Sequence, residues 1–373
     1  MKNLYRSIQS RLVSLSDNPQ GNALKRLNKL SGFICGMIHK GNSNLPDIGS
    51  GLPQDIDANS KTTSAKRFLS HGKTDYKVHF LPFLTAFIKG ILAFRCFSQG
   101  IYLVIDGSQI GKANGALMIS LYWNNRGIPI CWITKSGGKG HFKAEDHETV
   151  LTQAVEILQD LLPADIPVTL LGDGEFDGIG LQKICIAANW QYVLRTAINT
   201  VFYEQDDKFQ AKNIDVQDQE HFIFIPKVEF TKERFKYVNF VYWHEKTRYD
   251  DPIVLISNLL CPHRIIEAYD LRYSIECLFK DLKSTSFNLH KTRLQNPEEV
   301  KNLIIIAALA FLFLTVLAIQ YDEPKYRKKV QRVRKDRKVL SFFSFAFRLI
   351  DHFIQRQFDF QFSFDFSKNF ESS

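Results

Sequence analysis

The chain has 373 residues, 45% of them apolar and 13% aromatic. That is enough to bury a full core, which excludes disorder of the whole chain and suggests one large domain with additions or two to three units. Forty-eight Lys and Arg against 39 Asp and Glu leave a formal charge of +9, which favours a polyanionic partner such as nucleic acid, although ribosomal and membrane-surface proteins share such a balance.

Residues 1–100 read as mostly helical. The stretch MKNLYRSIQSRLVSLSDNPQ is basic but has no uninterrupted apolar run, so it is not expected to be a signal peptide. NALKRLNKLSGFICGMI carries apolar residues at helical spacing, and SKTTSAKRFLS opens with Ser and Thr as capping candidates. GNSNLPDIGSGLPQDIDANS reads as a linker between them. A basic helical pair of this kind suits DNA binding, and a solvated helix surface explains any single lysine as well.

From residue 101 the pattern changes to strands. IYLVIDGS is an apolar run ending in a carboxylate and glycine. LMISLYW and IPICWIT follow, then the amphipathic helix HETVLTQAVEILQDLL, the strand PVTLLGDGEF, the helix GIGLQKICIAAN and the strand WQYVLRTA. The order β-β-β-α-β-α-β predicts a mixed sheet whose first and fourth strands each deliver an aspartate at their C-terminal ends, Asp106 and Asp173. Residues 200–262 break the alternation. HFIFIPKVEF, KYVNFVYW and PIVLISN suggest an inserted antiparallel unit.

YDLRYSIECLFKDLKS, residues 269–284, predicts a helix. At roughly 100° per residue, Tyr269, Arg272, Glu276 and Lys283 fall within an arc of about 60°, beside an apolar stripe of Leu271, Ile275, Leu278, Phe279 and Leu282. The segment 303–319, LIIIAALAFLFLTVLAI, is nearly long enough to span a bilayer, and nine Lys or Arg follow in KYRKKVQRVRKDRK. Taken alone it fits a membrane anchor or a helix buried on all sides. The C-terminal part, 323–373, is basic and then Phe-rich. In it Leu340, Phe343, Phe347 and Ile350 recur at helical spacing, as a dimer face or a stripe packed on the catalytic domain.

Two strand-borne carboxylates and a third acid from a later helix suit a pair of hard cations, as two-metal phosphoryl transfer requires. Asp106, Asp173 and Glu276 are that set. Arg272 and Lys283 on the face of Glu276 then suit phosphates, and the Tyr269 hydroxyl suits another. Glu175 and Asp177 either support the site or decorate a polar loop. His141 and His147 suggest metal by type alone and read as cap or surface residues. Six cysteines, Cys35, Cys96, Cys131, Cys185, Cys261 and Cys277, include no C-x-x-C pair. They read as reduced core residues of an intracellular protein, and Cys261 with His263 lacks the second pair of a zinc site.

The spacing Y-x2-R-x3-E-x6-K resembles, without gaps, the signature of the IS4-type bacterial insertion-sequence transposases. IDGS and LLGDGEFDG stand where that family's first and second Asp motifs would, and the resemblance spans roughly residues 65–320. It implies an α/β fold with an RNase H-like mixed sheet and flanking helices, a β-rich insertion between the second Asp and the Glu, and a helical N-terminal region. The units implied are a DNA-binding region at 1–100, a catalytic core at 101–199 and 263–322, the insertion at 200–262 and a C-terminal segment at 323–373.

By the same resemblance, Asp106, Asp173 and Glu276 bind two Mg²⁺ or Mn²⁺ ions, and Tyr269, Arg272 and Lys283 grip the transposon end. Arg195 resembles a DNA-contacting arginine, and Trp243 is the candidate for stacking a flipped base, with a sheet-core role as its alternative. The activity implied is cut-and-paste transposition in the bacterial cytoplasm, at the nucleoid. It acts on double-stranded DNA, both terminal inverted repeats and target, through a homodimeric paired-end complex with no membrane partner. An RNase H-like nuclease without strand transfer and a membrane protein anchored by 303–319 are the competing readings.

Overall fold

The computed structural model describes residues 1–93, 100–138, 140–214, 222–245, 251–331 and 340–366. Cys96 and the second half of the 325–338 basic run lie outside them.

Six helices come first: α1 (Lys2–Leu15), α2 (Gly21–Lys40), α3 (Leu45–Gly49), α4 (Ala58–Leu69), α5 (Tyr76–His79) and α6 (Leu81–Leu92). The stretch expected to be a linker is packed rather than loose. Ile48 and Leu52 are buried in it, and it runs so close to α2 that a Cβ on Gly36 would meet the Ile48 carbonyl oxygen at 2.3 Å. Asp57, not Ser60, caps α4, because its carboxylate accepts the Ser60 amide at 2.9 Å.

The strands are β1 (Ile101–Ile110), β2 (Asn114–Trp123), β3 (Arg126–Ser136), β4 (Val168–Gly172), β5 (Gln191–Thr196), β6 (Val201–Glu204), β7 (Asp207–Gln210), β8 (Phe222–Phe230), β9 (Phe235–Trp243) and β10 (Ile253–Ser257). Among the described residues they form one ten-stranded mixed sheet in the order β3-β2-β1-β4-β5-β10-β9-β8-β6-β7. β4 runs parallel to β1 and β5, and the other pairs are antiparallel. α7 (Ala144–Gln159) and α8 (Ile179–Ala187) connect β3 to β4 and β4 to β5, which completes the predicted β-β-β-α-β-α-β order. The β2–β3 turn uses Asn124 and Asn125 at φ 48° and 59°, left-handed values that asparagine tolerates and tight hairpins require. The strands of the insertion extend the same sheet, since β10 pairs with β5 on one side and β9 on the other.

After β10 come α9 (Pro262–Asp270), α10 (Tyr273–Lys280), a π-helical turn (Asp281–Thr285), α11 (Pro297–Tyr321), α12 (Pro324–Val330) and α13 (Phe342–Gln355). α11 is long and apolar enough to cross a membrane, and its apolar window is entirely buried inside the fold. It packs on α2, α4, α13 and β3, which explains why its sequence is apolar all round. Phe343 and Ile350 of α13 are buried, and Phe343 stacks on Phe311 of α11 at 4.8 Å. That stripe therefore packs within the chain. The Phe-rich tail is described as far as Phe366, with Phe360, Phe362, Phe364 and Phe366 all buried. Its carbonyls are tied to α1: Ser7 donates to Phe360 at 2.5 Å and Arg11 to Phe362 at 2.6 Å.

Candidate active site

Asp106 lies inside β1 rather than at its end, with 4% of its surface exposed. The parallel pairing of β1 with β4 stops at Ile105 and Gly172. Asp106 continues β1 and Asp173 directly follows β4, so the two aspartates are the next residues after that last pair on neighbouring stretches of chain. Each carboxylate is oriented by a nearby amide: Gly107 donates to Asp106 Oδ1 at 2.7 Å, and Glu175 to Asp173 Oδ1 at 3.0 Å.

The third acid arrives differently from what helical periodicity predicts. Residues 269–285 are not one helix. α9 ends at Asp270, Arg272 is the N-cap of α10, Glu276 lies in the first turn of α10, and Lys283 sits in the π turn. The apolar stripe survives, because Ile275, Leu278, Phe279 and Leu282 are buried under the segment. The polar residues reach the sheet through individual bonds instead of a straight helix face. Widened turns of this kind recur at functional sites.

Arg272 is the hinge of the site. Its guanidinium donates to Glu276 Oε1 at 2.5 Å and lies 4.0 Å from Asp106 Oδ2, with its carbon 5.9 Å from the Tyr269 ring centre. Burial acts to weaken its hold on the proton, but Tyr269, Glu276 and Asp106 outweigh burial and raise its pKa. The Tyr269 phenol is pushed up by burial and by Asp173, against the pull of Arg272 and of Arg195, which reaches its hydroxyl. Lys283 donates to Ser108 Oγ at 3.1 Å. Arg272 thus links Asp106 and Glu276, Tyr269 adjoins Arg272 and Arg195, and Lys283 meets the strand of Asp106 through Ser108.

Trp243 is the candidate for stacking a flipped base. It lies in β9, opposite Ile253 and Phe222, and is 4% exposed. Its ring is a sheet-core aromatic with no open face for a base. Asp177 turns inward to accept from Thr196 at 2.6 Å, and burial raises its pKa. His147 packs on Phe176 at 4.8 Å, and burial lowers its pKa against the opposing charges of Glu175, Asp146 and Asp173.

Two contacts escape the motif. Ser108 is one, and its signal was present: two residues after Asp106 on a strand means the same face. The other is Arg126, at the start of β3, which lies 3.5 Å from Asp281 under the π turn. Burial pushes Asp281 up to about 6 against the pull of Arg126 and Lys280.

Three carboxylates are a donor set that suits a hard divalent cation. Among the described residues, no group of three or more His, Cys, Asp or Glu side chains is gathered closely enough to hold a metal, and Arg272 stands between Asp106 and Glu276. The chemistry of the donors fits a metal pair, and Arg272 supplies their counter-charge in this arrangement.

A family model described as "Transposase DDE domain" matches residues 142–313. The match takes in Asp173 and the whole Tyr269–Lys283 signature, begins after Asp106, and supports a transposase of the DDE type. None of the curated proteins compared with the chain matches it. Among solved structures, Aquifex aeolicus Argonaute is similar at 11% identity and a TM-score of 0.24, over 55% of this chain and 28% of that one. Ciona intestinalis Endonuclease V, in complex with a 24mer DNA containing an inosine followed by a ribo-adenosine, is similar at 12% identity and a TM-score of 0.26. That likeness covers 54% of this chain and 82% of the other. At these TM-scores neither likeness bears on function.

Proposed function

We propose that this chain is a cut-and-paste DNA transposase of the IS4 type, with an RNase H-like core, cleaving double-stranded DNA at the ends of an insertion sequence and joining those ends to target DNA. The observation that carries the reading is the placement of Arg272, which pairs with Glu276 and lies 4.0 Å from Asp106, on the strand next to the one that Asp173 directly follows.

In this reading Asp106, Asp173 and Glu276 hold Mg²⁺ or Mn²⁺, which when bound activates the attacking oxygen and stabilises the leaving one. Arg272, Arg195 and Lys283 take phosphates near the scissile bond, and Tyr269 donates its hydroxyl to another. Arg272 has a forked guanidinium suited to gripping a phosphate through two bonds. The N-terminal helices add a second basic surface, because Lys25, Arg26, Lys29, Arg67 and Lys73 line a groove between α2 and the α4–α5 segment. Two copies bring two ends together.

The test uses the full chain, Mg²⁺ and a duplex carrying the element's terminal inverted repeat. Asp106→Ala, Asp173→Ala and Glu276→Ala each reduce cleavage to background and leave binding of the end largely intact. Near-parental cleavage by any of the three removes that residue from the site. A supercoiled target plasmid in the same reaction separates a transposase, which joins ends to it, from a nuclease, which only cuts.

A further inference from the structure

Ser108 has no role in the network described so far beyond accepting one bond, yet its place is particular. Side chains two apart on a strand share a face, so Ser108 stands on the Asp106 side of β1. It is 7% exposed, and its hydroxyl accepts from Nζ of Lys283, 175 positions later in the chain. That bond crosses from the sheet to the π turn (Asp281–Thr285).

A lysine ammonium is a point charge on a flexible four-carbon stem, and ordering such a stem costs rotamer freedom. An unheld Lys283 would lose that freedom each time it met a phosphate. Here the loss is taken during folding. The π turn is tied at both ends, since the Asp281 carboxylate lies by Arg126 of β3 at 3.5 Å and His290 Nδ1 is in hydrogen-bond contact with the Lys283 carbonyl. The Ser108 hydroxyl then fixes the far end of the side chain.

We infer that Ser108 is a positioning residue: its hydroxyl holds the Lys283 ammonium on the face of the sheet that carries Asp106, ready to receive a DNA phosphate beside the carboxylates. This rests on the transposase reading of the site. Ser108 itself touches no DNA. The gain is preorganisation, in which the charge is aimed before the substrate arrives.

The experiment compares Ser108→Ala, Ser108→Thr, Ser108→Val, Lys283→Ala and the Ser108→Ala/Lys283→Ala double variant in the full chain. The probe is a duplex carrying the element's terminal inverted repeat, read by end affinity over a salt series and by single-turnover cleavage with Mg²⁺. Ser108→Ala is expected to weaken end binding roughly tenfold, the scale of one hydrogen bond to a charged group. It should add nothing to Lys283→Ala, because both remove the same contact. Thr keeps the hydroxyl and stays near the parent. Val, its isostere, behaves like Ala. A side chain that only filled space would make Thr and Val alike, so this pair decides the matter even where Ala disturbs folding.

Equal behaviour of Thr and Val, or a double variant whose loss is the sum of the two single losses, overturns the inference. Asp106→Ala serves as the separate control. If it is inactive and the parent binds the end, an additive result sinks Ser108 alone. If Asp106→Ala cleaves as well as the parent, the transposase reading fails first and takes this inference with it.

Discussion

α11 and the segment from α9 through the π turn lie close in sequence and are built on opposite principles. α11 has 25 residues, is capped by Asn296, whose side chain accepts from Glu298, and has its apolar residues buried on all sides. Its position is set by non-directional contact, so neighbouring side chains share the work. The segment 262–285 is broken into two short helices and a widened turn. Its polar residues are aimed one by one: Arg272 at Glu276 and Asp106, Lys283 at Ser108, Asp281 at Arg126. This chain thus puts its stability in the apolar helix and its candidate site residues in a segment aimed by individual bonds.

The largest effect should come from a charge in the middle of α11. Leu309 is fully buried, and Leu309→Lys strands an ammonium among apolar neighbours, at more than about 5 kcal/mol, enough to unfold an ordinary domain. Circular dichroism and soluble yield read it. A folded variant with a parental melting curve means that this position opens to solvent.

Phe362→Ala asks whether the tail belongs to the apolar half. Phe362 is buried against Phe313 of α11 at 4.8 Å, and truncating it should cost about 3–5 kcal/mol. A loss under about 1 kcal/mol in urea unfolding would show that the tail is only laid on the surface.

The third prediction turns to the polar half. Asp281 is shifted from the ordinary 3.8 to about 6, so the folded chain holds its proton through a window where the unfolded chain has released it. Stability attributable to this group therefore falls as pH rises from about 4 to about 6. Asp281→Asn removes that fall. Relative to the variant, the parent should lose roughly 2–3 kcal/mol between pH 4 and pH 7. A parent-minus-variant curve that is flat across the window leaves Asp281 with an ordinary pKa.

The smallest change in stability, with the greatest in activity, is expected at Glu276→Gln. The carboxylate is 43% exposed and paired with Arg272 at i,i+4, a pair worth under about 1 kcal/mol. Cleavage falls to background while the melting temperature barely moves. A loss of both together would place Glu276 in the architecture rather than in the chemistry.

Local periodicity made much of this molecule legible. The strand runs through Asp106 and up to Asp173 and the helices α7 and α8 follow from alternation and composition, because those properties belong to neighbouring residues, whereas the burial of 303–319 does not, since the same composition fits a membrane span. The candidate acids and cations were legible for a different reason, since metal-assisted phosphoryl transfer calls for carboxylates and phosphate contacts call for cations. What lay beyond reach was everything decided across the chain. No spacing rule ends α9 at Asp270 or widens the turn at Lys283. Packing of Ile275, Leu278 and Leu282 under the segment and the pull of Asp106 and Ser108 from β1 set that geometry. Trp243 shows the same limit, since its alternating strand pattern does not say whether a further strand covers it, and β8 and β10 do. The Phe-rich tail displays its period of two openly, but only the packed helices α1 and α11 determine which surface those rings close. Sequence specified which residues repeat and which chemistry they could carry, and tertiary packing chose their partners, because a hydrogen bond or a buried contact depends on distance in space and periodicity measures only distance along the chain.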